Sequence, residues 1–323
     1  MRTTVAMKRV EQLLVDAEKD RRCLVPSSRA DLEVLRRAVA SGQVVRPFPG
    51  MYIRERTWAG LSSQPRVRWR YVQRAYALDH PGEVFCSFSA ALEYGLWVSK
   101  RYLDEIHIVS PPDCHGRRGG KIHRHECPEH EITHHEAMEL TSIKRTVLDC
   151  CLAATFEDGL AIADSAVRYM HLDREDYQAY VAQSARYRTG ADRAIRVARY
   201  MDGRSESGGE SIARGMIIKL GYLSPTALQA EFVDPVDGGT IRSDMYYELP
   251  DGSQLIVEVD GKVKYAPSGA SIATTQRALM AERNRESHIT KLGIPVMRIQ
   301  FGRIYEDGYL EHLLESYGVP KIK

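Results

Sequence analysis

Long apolar runs are absent from this sequence of 323 residues. No run approaches the roughly 18–20 residues that a helix needs to cross a bilayer, and the first 22 residues become charged before a signal-like apolar core can form. The content of 43% hydrophobic and 27% charged residues excludes collagen-like, rod-like and wholly disordered chains. We expect a cytoplasmic protein of two or three domains with no membrane partner.

Cysteine is too sparse for a disulfide scaffold, because only six cysteines occur and two of them, Cys150 and Cys151, are neighbours in an apolar helical stretch. We expect reduced, mostly buried thiols.

Charge of one sign is concentrated at the N-terminal end. Residues 1–75 hold 16 Lys and Arg against 7 Asp and Glu, whereas the whole chain has a net charge of only +2. Lysine and arginine that neutralise phosphates release counterions and gain affinity for any nucleic acid. The imbalance therefore favours a polyanionic partner for this end of the chain, and composition alone does not identify it.

Residues 1–60 have the pattern of a winged helix. Residues 5–22 carry apolar side chains at helical spacing, Ser28 can cap a second helix over residues 30–40, and two short strand-like runs flank a hairpin tip at residues 46–50. In the DNA-binding interpretation, the phosphate contacts are Arg29, Arg36, Arg37, Arg46 and Arg54. The alternative is a solvated basic face on a small packing module.

Residues 65–200 mix helical and strand patterns and predict an α+β middle domain. Seven of the eleven histidines fall between His107 and His135. Because no paired cysteine or histidine spacing typical of zinc sites recurs, and because His123 and His125 alternate along a predicted strand, we expect solvent-facing histidines here.

The small and polar residues 202–209 mark the next boundary, after which the order is helix, three strands joined by glycine-containing turns, helix and strand. Asp244 lies on the second strand, and Glu258 and Asp260 lie on the third, which is otherwise apolar. Buried carboxylates need a compensating cation, and an all-oxygen group suits Mg²⁺ or Mn²⁺. Lys262, on the same side as Glu258 if the strand continues, can orient water or offset charge.

Each of these acidic residues also has a purely structural interpretation. Glu210, at the start of the helix, adds a fourth acid to the site or completes a capping box with Ser207. Glu258 and Asp260 can bind metal or form salt bridges with arginines of the neighbouring helix and strand. The candidate arginines are Arg283, Arg285 and Arg298. A divalent ion held by these acids supplies what phosphodiester hydrolysis requires. Lys264, Arg283 and Arg285 contact phosphate in that interpretation and are solvated in the structural one.

The segments SGGESIARGMIIKLG, SDMYYE, IVEVDGKVKY and ERNRESHITKLGIPVMRI together resemble the PD-(D/E)XK nuclease superfamily, and within it the very-short-patch-repair-like endonuclease domain. The resemblance covers about residues 205–305. It implies a restriction-endonuclease-like αβββαβ domain over residues 205–310, with Asp244, Glu258 and Glu210 as metal ligands and catalytic acids. The motif usually has lysine where this chain has Asp260. Either Lys262 substitutes, or catalysis is altered or lost.

The preceding region, with GMYI, SFSAALEYGL and SIKRTVLDCC, resembles abortive-infection antitoxins of the AbiE type, and actinobacterial proteins join two such halves. This resemblance implies a transcriptional repressor with an N-terminal winged helix and a cognate toxin or defence-system partner. Residues 23–39 are too few for the extra helix of a full three-helix DNA reader, which argues against sequence-specific DNA reading. The sequence thus predicts a multidomain α+β and α/β protein, either a Mg²⁺-dependent endonuclease with a DNA-binding module or a repressor whose nuclease fold is inactive.

Overall fold

The computed structural model describes residues 5–111, 118–128, 131–135, 138–261 and 288–322. The fold combines helices with several small sheets, which confirms the mixed α and β class. Within these described ranges, no helix has the length and apolar character needed to span a bilayer. The chain divides into two compact units, Met1–Cys150 and Cys151–Lys323.

The first unit contains six helices and seven strands among the described residues. Its helices are α1 (Val5–Lys19), α2 (Arg29–Ala40), α3 (Glu55–Gly60), α4 (Pro65–Asp79), α5 (Ser87–Glu93) and α6 (Ile143–Ala153), the last of which runs past the unit boundary. Its strands are β1 (Val44–Phe48), β2 (Met51–Arg54), β3 (Ile106–Val109), β4 (Arg118–Gly119), β5 (Ile122–His125), β6 (Ile132–His135) and β7 (Met138–Thr141).

Helices α1 and α2 pack around a small apolar core that includes Leu14, Leu35 and Tyr52. The hydroxyl of Ser28 caps α2 by accepting a hydrogen bond from the Asp31 amide at 3.1 Å. No helix lies between α1 and α2, where Leu24 instead forms a β-bridge with Tyr52. The short connection therefore forms a β-bridge to the hairpin in place of a helix.

The predicted hairpin is present, but its tip is shorter than residues 46–50. Strands β1 and β2 pair antiparallel from Val44↔Arg54 to Phe48↔Met51, so only Pro49 and Gly50 form the turn. Gly50 has φ +78°, a conformation that glycine adopts without a steric penalty. Arg46 consequently lies within β1 rather than at the tip.

The rest of the first unit contains a three-stranded sheet in the order β3-β5-β4 and the two-stranded sheet β6-β7. Phe85, fully buried, forms β-bridges with both Ile108 and Leu140. Strands β3 and β5 run parallel, with His107 opposite His123. This pairing decides where the histidine-rich segment places its rings.

The second unit begins with helices and continues with one four-stranded sheet. Its helices are α7 (Phe156–Met170), α8 (Arg174–Ser184), α9 (Ala191–Tyr200), α10 (Gly208–Lys219) and α11 (Tyr309–Ser316). Its strands are β8 (Ala227–Val233), β9 (Thr240–Glu248), β10 (Gln254–Asp260) and β11 (Val296–Gln300). The sheet order is β11-β10-β9-β8, with β10 and β11 parallel and the other pairs antiparallel.

Helix α10 is held against α7 by a close approach and a buried ion pair. A Cβ added to Gly215 would lie 2.8 Å from the Cα of Glu157, so a larger residue cannot fit without a shift. The Arg214 guanidinium donates to both oxygens of Asp164 at 3.0 and 2.8 Å, and both side chains are buried. These contacts fix the helix that carries Glu210.

Candidate functional site

Asp244 and Glu258 meet across the β9–β10 hairpin. The antiparallel register pairs Met245 with Val257, so the next position along each strand brings Asp244 beside Glu258. Backbone pairing between the two strands ends at this point, and the Asp244 Oδ2 accepts a hydrogen bond from the Val259 amide at 2.8 Å. The sheet therefore places both acids where the strands begin to separate.

Glu258 is buried, and an arginine of the adjacent strand neutralises part of its charge. In the parallel β10–β11 register, Glu258 lies opposite Arg298. Arg298 Nη2 is 3.2 Å from Glu258 Oε2, and Arg298 Nη1 is 4.0 Å from Asp260 Oδ1. Of the three arginines expected from the sequence, Arg298 is the one that the described residues place beside these acids.

Glu210 both caps α10 and faces the acidic site. Its amide donates to Ser207 Oγ at 3.2 Å, and its Oε2 accepts hydrogen bonds from the Glu206 amide at 2.8 Å and from Gln229 Nε2 at 2.9 Å. Burial raises the pKa of Glu210 above its ordinary value, and the negative charge of Asp244 raises it further, although these hydrogen bonds partly offset the rise. Capping and proximity to Asp244 therefore coexist.

Gln229 belongs to this site, although no pattern in the sequence points to it. It lies on β8 between the pairs Leu228↔Met245 and Ala230↔Ser243, which puts it opposite Asp244. Its φ is +51°, a left-handed conformation that costs a non-glycine residue about 1–2 kcal/mol. Backbone strain beside clustered acids is typical of functional sites, but no sequence motif marks it.

Two groups of side chains in the described residues bring three possible metal ligands within 4.8 Å of one another. They are His107, His123 and His125 in the first unit and Asp234, Asp237 and His288 in the second. Glu210, Asp244 and Glu258 do not form such a group at that separation. The described residues thus offer groups able to hold a metal in both units.

The expectation that the histidines face solvent is wrong for His107. His107 is 6% exposed, and the other two are half-buried. The parallel β3–β5 register brings the three rings together, whereas the sequence shows only the alternation of His123 and His125. A pairing between parallel strands is not visible in local spacing.

The N-terminal arginines divide into exposed and internally paired residues. Arg29, Arg36, Arg37 and Arg46 are exposed, and Arg36 makes a surface ion pair with Glu33 at 3.2 Å. Arg54 instead donates to both oxygens of Glu18 and lies 3.1 Å from Glu11 Oε1. Its hydrogen bonds with Glu18 raise the pKa of Arg54, and they tie β2 to α1.

Several predicted site residues lie outside the described ranges. These are Lys262, Lys264, Arg283 and Arg285. The helix predicted before β11 is also described only at its end, where residues 288–291 are helical and Ile289 packs against the sheet.

Comparison with known proteins adds little to this geometry. No family model and no curated protein matches the chain. The crystal structure of the RV2827C protein from Mycobacterium tuberculosis is similar at a TM-score of 0.35 and 13% identity, over 66% of this chain and 82% of that one. Similarity at this level transfers neither fold nor function.

Proposed function

We propose that residues 205–310 form a restriction-endonuclease-like PD-(D/E)XK domain that hydrolyses phosphodiester bonds in nucleic acid with a divalent metal ion. The order α10, β8, β9, β10 and β11 and the strand order of the sheet support this architecture. The observation that carries the proposal is the β9–β10 register, which brings Asp244 beside Glu258 where backbone pairing ends.

The donor set fits Mg²⁺ or Mn²⁺ in its chemistry. Asp244, Glu258 and Glu210 contribute carboxylate oxygens, and no thiolate or imidazole of the described residues joins them in a three-ligand group. When bound, such an ion supplies Lewis-acid stabilisation of phosphoryl oxygens and lowers the pKa of a bound water. Glu258, paired with Arg298, and Glu210, bonded by Gln229, are already oriented by the protein.

Two of the chain's own residues have further roles in this proposal. Arg298, within 4.0 Å of Asp260, offers positive charge beside the position where the motif usually has lysine. It can offset charge that grows on a phosphoryl oxygen. Gln229, which donates a hydrogen bond to Glu210 at 2.9 Å, orients that carboxylate.

Residues 1–60 form the DNA-recruiting module in this proposal, with a winged-helix-like arrangement of α1, α2 and the β1–β2 hairpin. Exposed Arg29, Arg36, Arg37 and Arg46 provide the phosphate contacts. Arg54 stabilises the module from within, because Glu18 and Glu11 hold its guanidinium.

The second candidate function is a DNA-binding repressor or antitoxin with a non-cleaving nuclease fold and a toxin or defence partner. The Glu258–Arg298 pair favours it, since an internal arginine already compensates the charge that a metal would otherwise neutralise. Asp260 at the lysine position points the same way. Metal binding separates the two candidates, because an active site must bind an ion and an inactive module need not.

The test combines cleavage with calorimetry. Plasmid, linear and single-stranded DNA and RNA are incubated with Mg²⁺ or Mn²⁺, using wild type, Asp244→Ala, Glu258→Ala and the control Glu248→Ala, which alters an exposed acid on the same strand as Asp244. We expect Mn²⁺ binding and cleavage in wild type and control, and loss of both in the two site variants. Metal binding without cleavage, or neither, would favour the repressor.

A further inference from the structure

Three histidine rings gather on one face of the small sheet in the first unit. In the parallel pairing of β3 with β5, His107 lies opposite His123, and His125 follows two residues later. Residues two apart on a strand share a face. The ring centroids are 4.0 Å apart for His123 and His125, and 5.3 and 5.1 Å from His107 to each of these.

The ring nitrogens converge as well as the rings. One nitrogen of each histidine lies within 4.8 Å of the other two, and His107 Nδ1 is 2.8 Å from His125 Nε2. Two nitrogens at that distance cannot both carry a proton toward each other, so at least one directs a lone pair into the group. Nitrogens that share a tetrahedral Zn²⁺ are about 3.3 Å apart, so an ion bound here would require the rings to rotate from this arrangement.

The surroundings fix the inner ligand and leave the outer two accessible. The amide of buried His107 donates to Ser89 Oγ at 2.9 Å, and its ring meets the Phe88 ring at 79° with centroids 5.3 Å apart. Phe88 in turn stacks on Tyr102 at 4.2 Å. His123 and His125 are half-buried, so an ion can reach the group from solvent. Ligands fixed before binding lose little entropy when they bind.

We propose that His107, His123 and His125 form a Zn²⁺ site with three imidazole nitrogens and a fourth position for water. Imidazole suits zinc and other borderline transition metals, whereas Mg²⁺ and Ca²⁺ prefer oxygen. Neutral imidazoles also gather without the like-charge repulsion that three carboxylates experience. This site lies in the first unit and does not depend on the proposed nuclease activity.

The second group, Asp234, Asp237 and His288, is the competing location for zinc. His288 Nδ1 is 2.7 Å from Asp234 Oδ2, and Asp237 is exposed. Each aspartate also accepts a hydrogen bond from a nearby backbone amide, Val236 for Asp234 and Gly239 for Asp237, both at 2.8 Å. These bonds explain the acids as turn-stabilising residues without a metal.

The experiment measures zinc in the full-length chain after chelator treatment, reconstitution and dialysis. We expect one Zn²⁺ per wild-type chain, and at least about a 100-fold loss of affinity in His123→Ala, since even indirect partners of a zinc site contribute 10–100-fold. His134→Ala removes an exposed histidine of β6 and should retain zinc. Asp244→Ala should retain it too, which separates this site from the acidic one.

Further variants and cobalt spectra keep the result decisive. His125→Gln replaces a second proposed ligand with another polar side chain. Circular dichroism checks that both variants fold. Co²⁺ should give visible d–d absorption without a near-ultraviolet thiolate band, because every proposed ligand is a nitrogen. A wild type without zinc, unchanged affinity in folded His123→Ala and His125→Gln, or loss of zinc in His288→Ala would overturn the proposal.

Discussion

The two units position their candidate ligands by opposite routes, and the three histidines of the first lie within 4.8 Å of one another whereas Glu210, Asp244 and Glu258 of the second do not form such a group. In the first, His107, His123 and His125 are aligned by one parallel strand pair. In the second, the acids need internal compensation, with Arg298 beside Glu258 and donors from Gln229 and Val259 on Glu210 and Asp244. Strand register alone can bring neutral ligands together. Each carboxylate also needs a hydrogen-bond donor or a cation from the protein beside it.

The largest effect on stability is expected where a buried arginine of the second unit loses the carboxylate that compensates its charge. Asp164→Ala leaves the buried Arg214 guanidinium without its carboxylate partner. We expect a loss of about 3–5 kcal/mol in the free energy of unfolding, because an uncompensated buried charge is costly. Urea denaturation followed by circular dichroism measures it.

The matched control is Glu306→Ala, which removes an exposed ion pair with Arg303 and should change stability by less than about 1 kcal/mol. Equal effects in the two variants would show that internal compensation is not what stabilises this unit.

Arg298→Met sharpens the comparison at the acidic site itself. The change leaves Glu258 buried without its cation, and because Arg298 is about one-third exposed we expect a loss of only about 1–2 kcal/mol. If the site binds Mn²⁺, the metal should raise the melting temperature of this variant more than that of wild type. An identical Mn²⁺ response in both proteins would argue against metal binding by Glu258.

Gln229 allows strain and ligand orientation to be separated. Gln229→Gly removes the left-handed penalty and the hydrogen bond to Glu210, whereas Gln229→Ala removes only the hydrogen bond. We expect the glycine variant to be more stable than the alanine variant by about 1 kcal/mol. Thermal unfolding compares the two, and equal stabilities would mean that the backbone relaxes at this position.

The smallest expected effects are on how stability changes with pH. Two glutamates of the first unit should change it in opposite directions. Burial raises the pKa of Glu93 despite Arg70 and Gln73, so its stabilising contribution is complete below the ordinary pKa and is lost as pH rises through the folded value. Burial also raises the pKa of Glu18, but hydrogen bonds from Arg54 outweigh this effect, so the pKa of Glu18 is lowered overall. Its contribution is present above the ordinary pKa and is lost as pH falls through the folded value.

Stability measured across pH checks both signs. Glu93→Gln should remove the decline on raising pH above about 4.5, and Glu18→Gln should remove the decline on acidification below it. If both variants changed the pH dependence of stability in the same direction, the local balance of burial and hydrogen bonds would not be what sets these pKa values.

Local features of the fold could be predicted from the sequence, whereas pairings between distant segments could not. The tight turn at residues 249–253 joins two apolar runs, so the adjacency of Asp244 and Glu258 follows from the chain itself. The contact between Glu258 and Arg298 requires a parallel pair separated by more than 30 residues, and the histidine group depends on another parallel pair. Local periodicity in the sequence does not indicate the register of either parallel strand pair.

Proline in the hairpin limits how this ribbon can associate. Pro47 lies in β1 where the register with β2 shifts, and its nitrogen has no hydrogen to donate. In the part of the chain that the structure describes, the sheet contains only β1 and β2. An incoming strand from a second molecule would find the ladder interrupted along β1, so this edge is a poor template for aggregation while the basic side chain at Arg46 stays accessible.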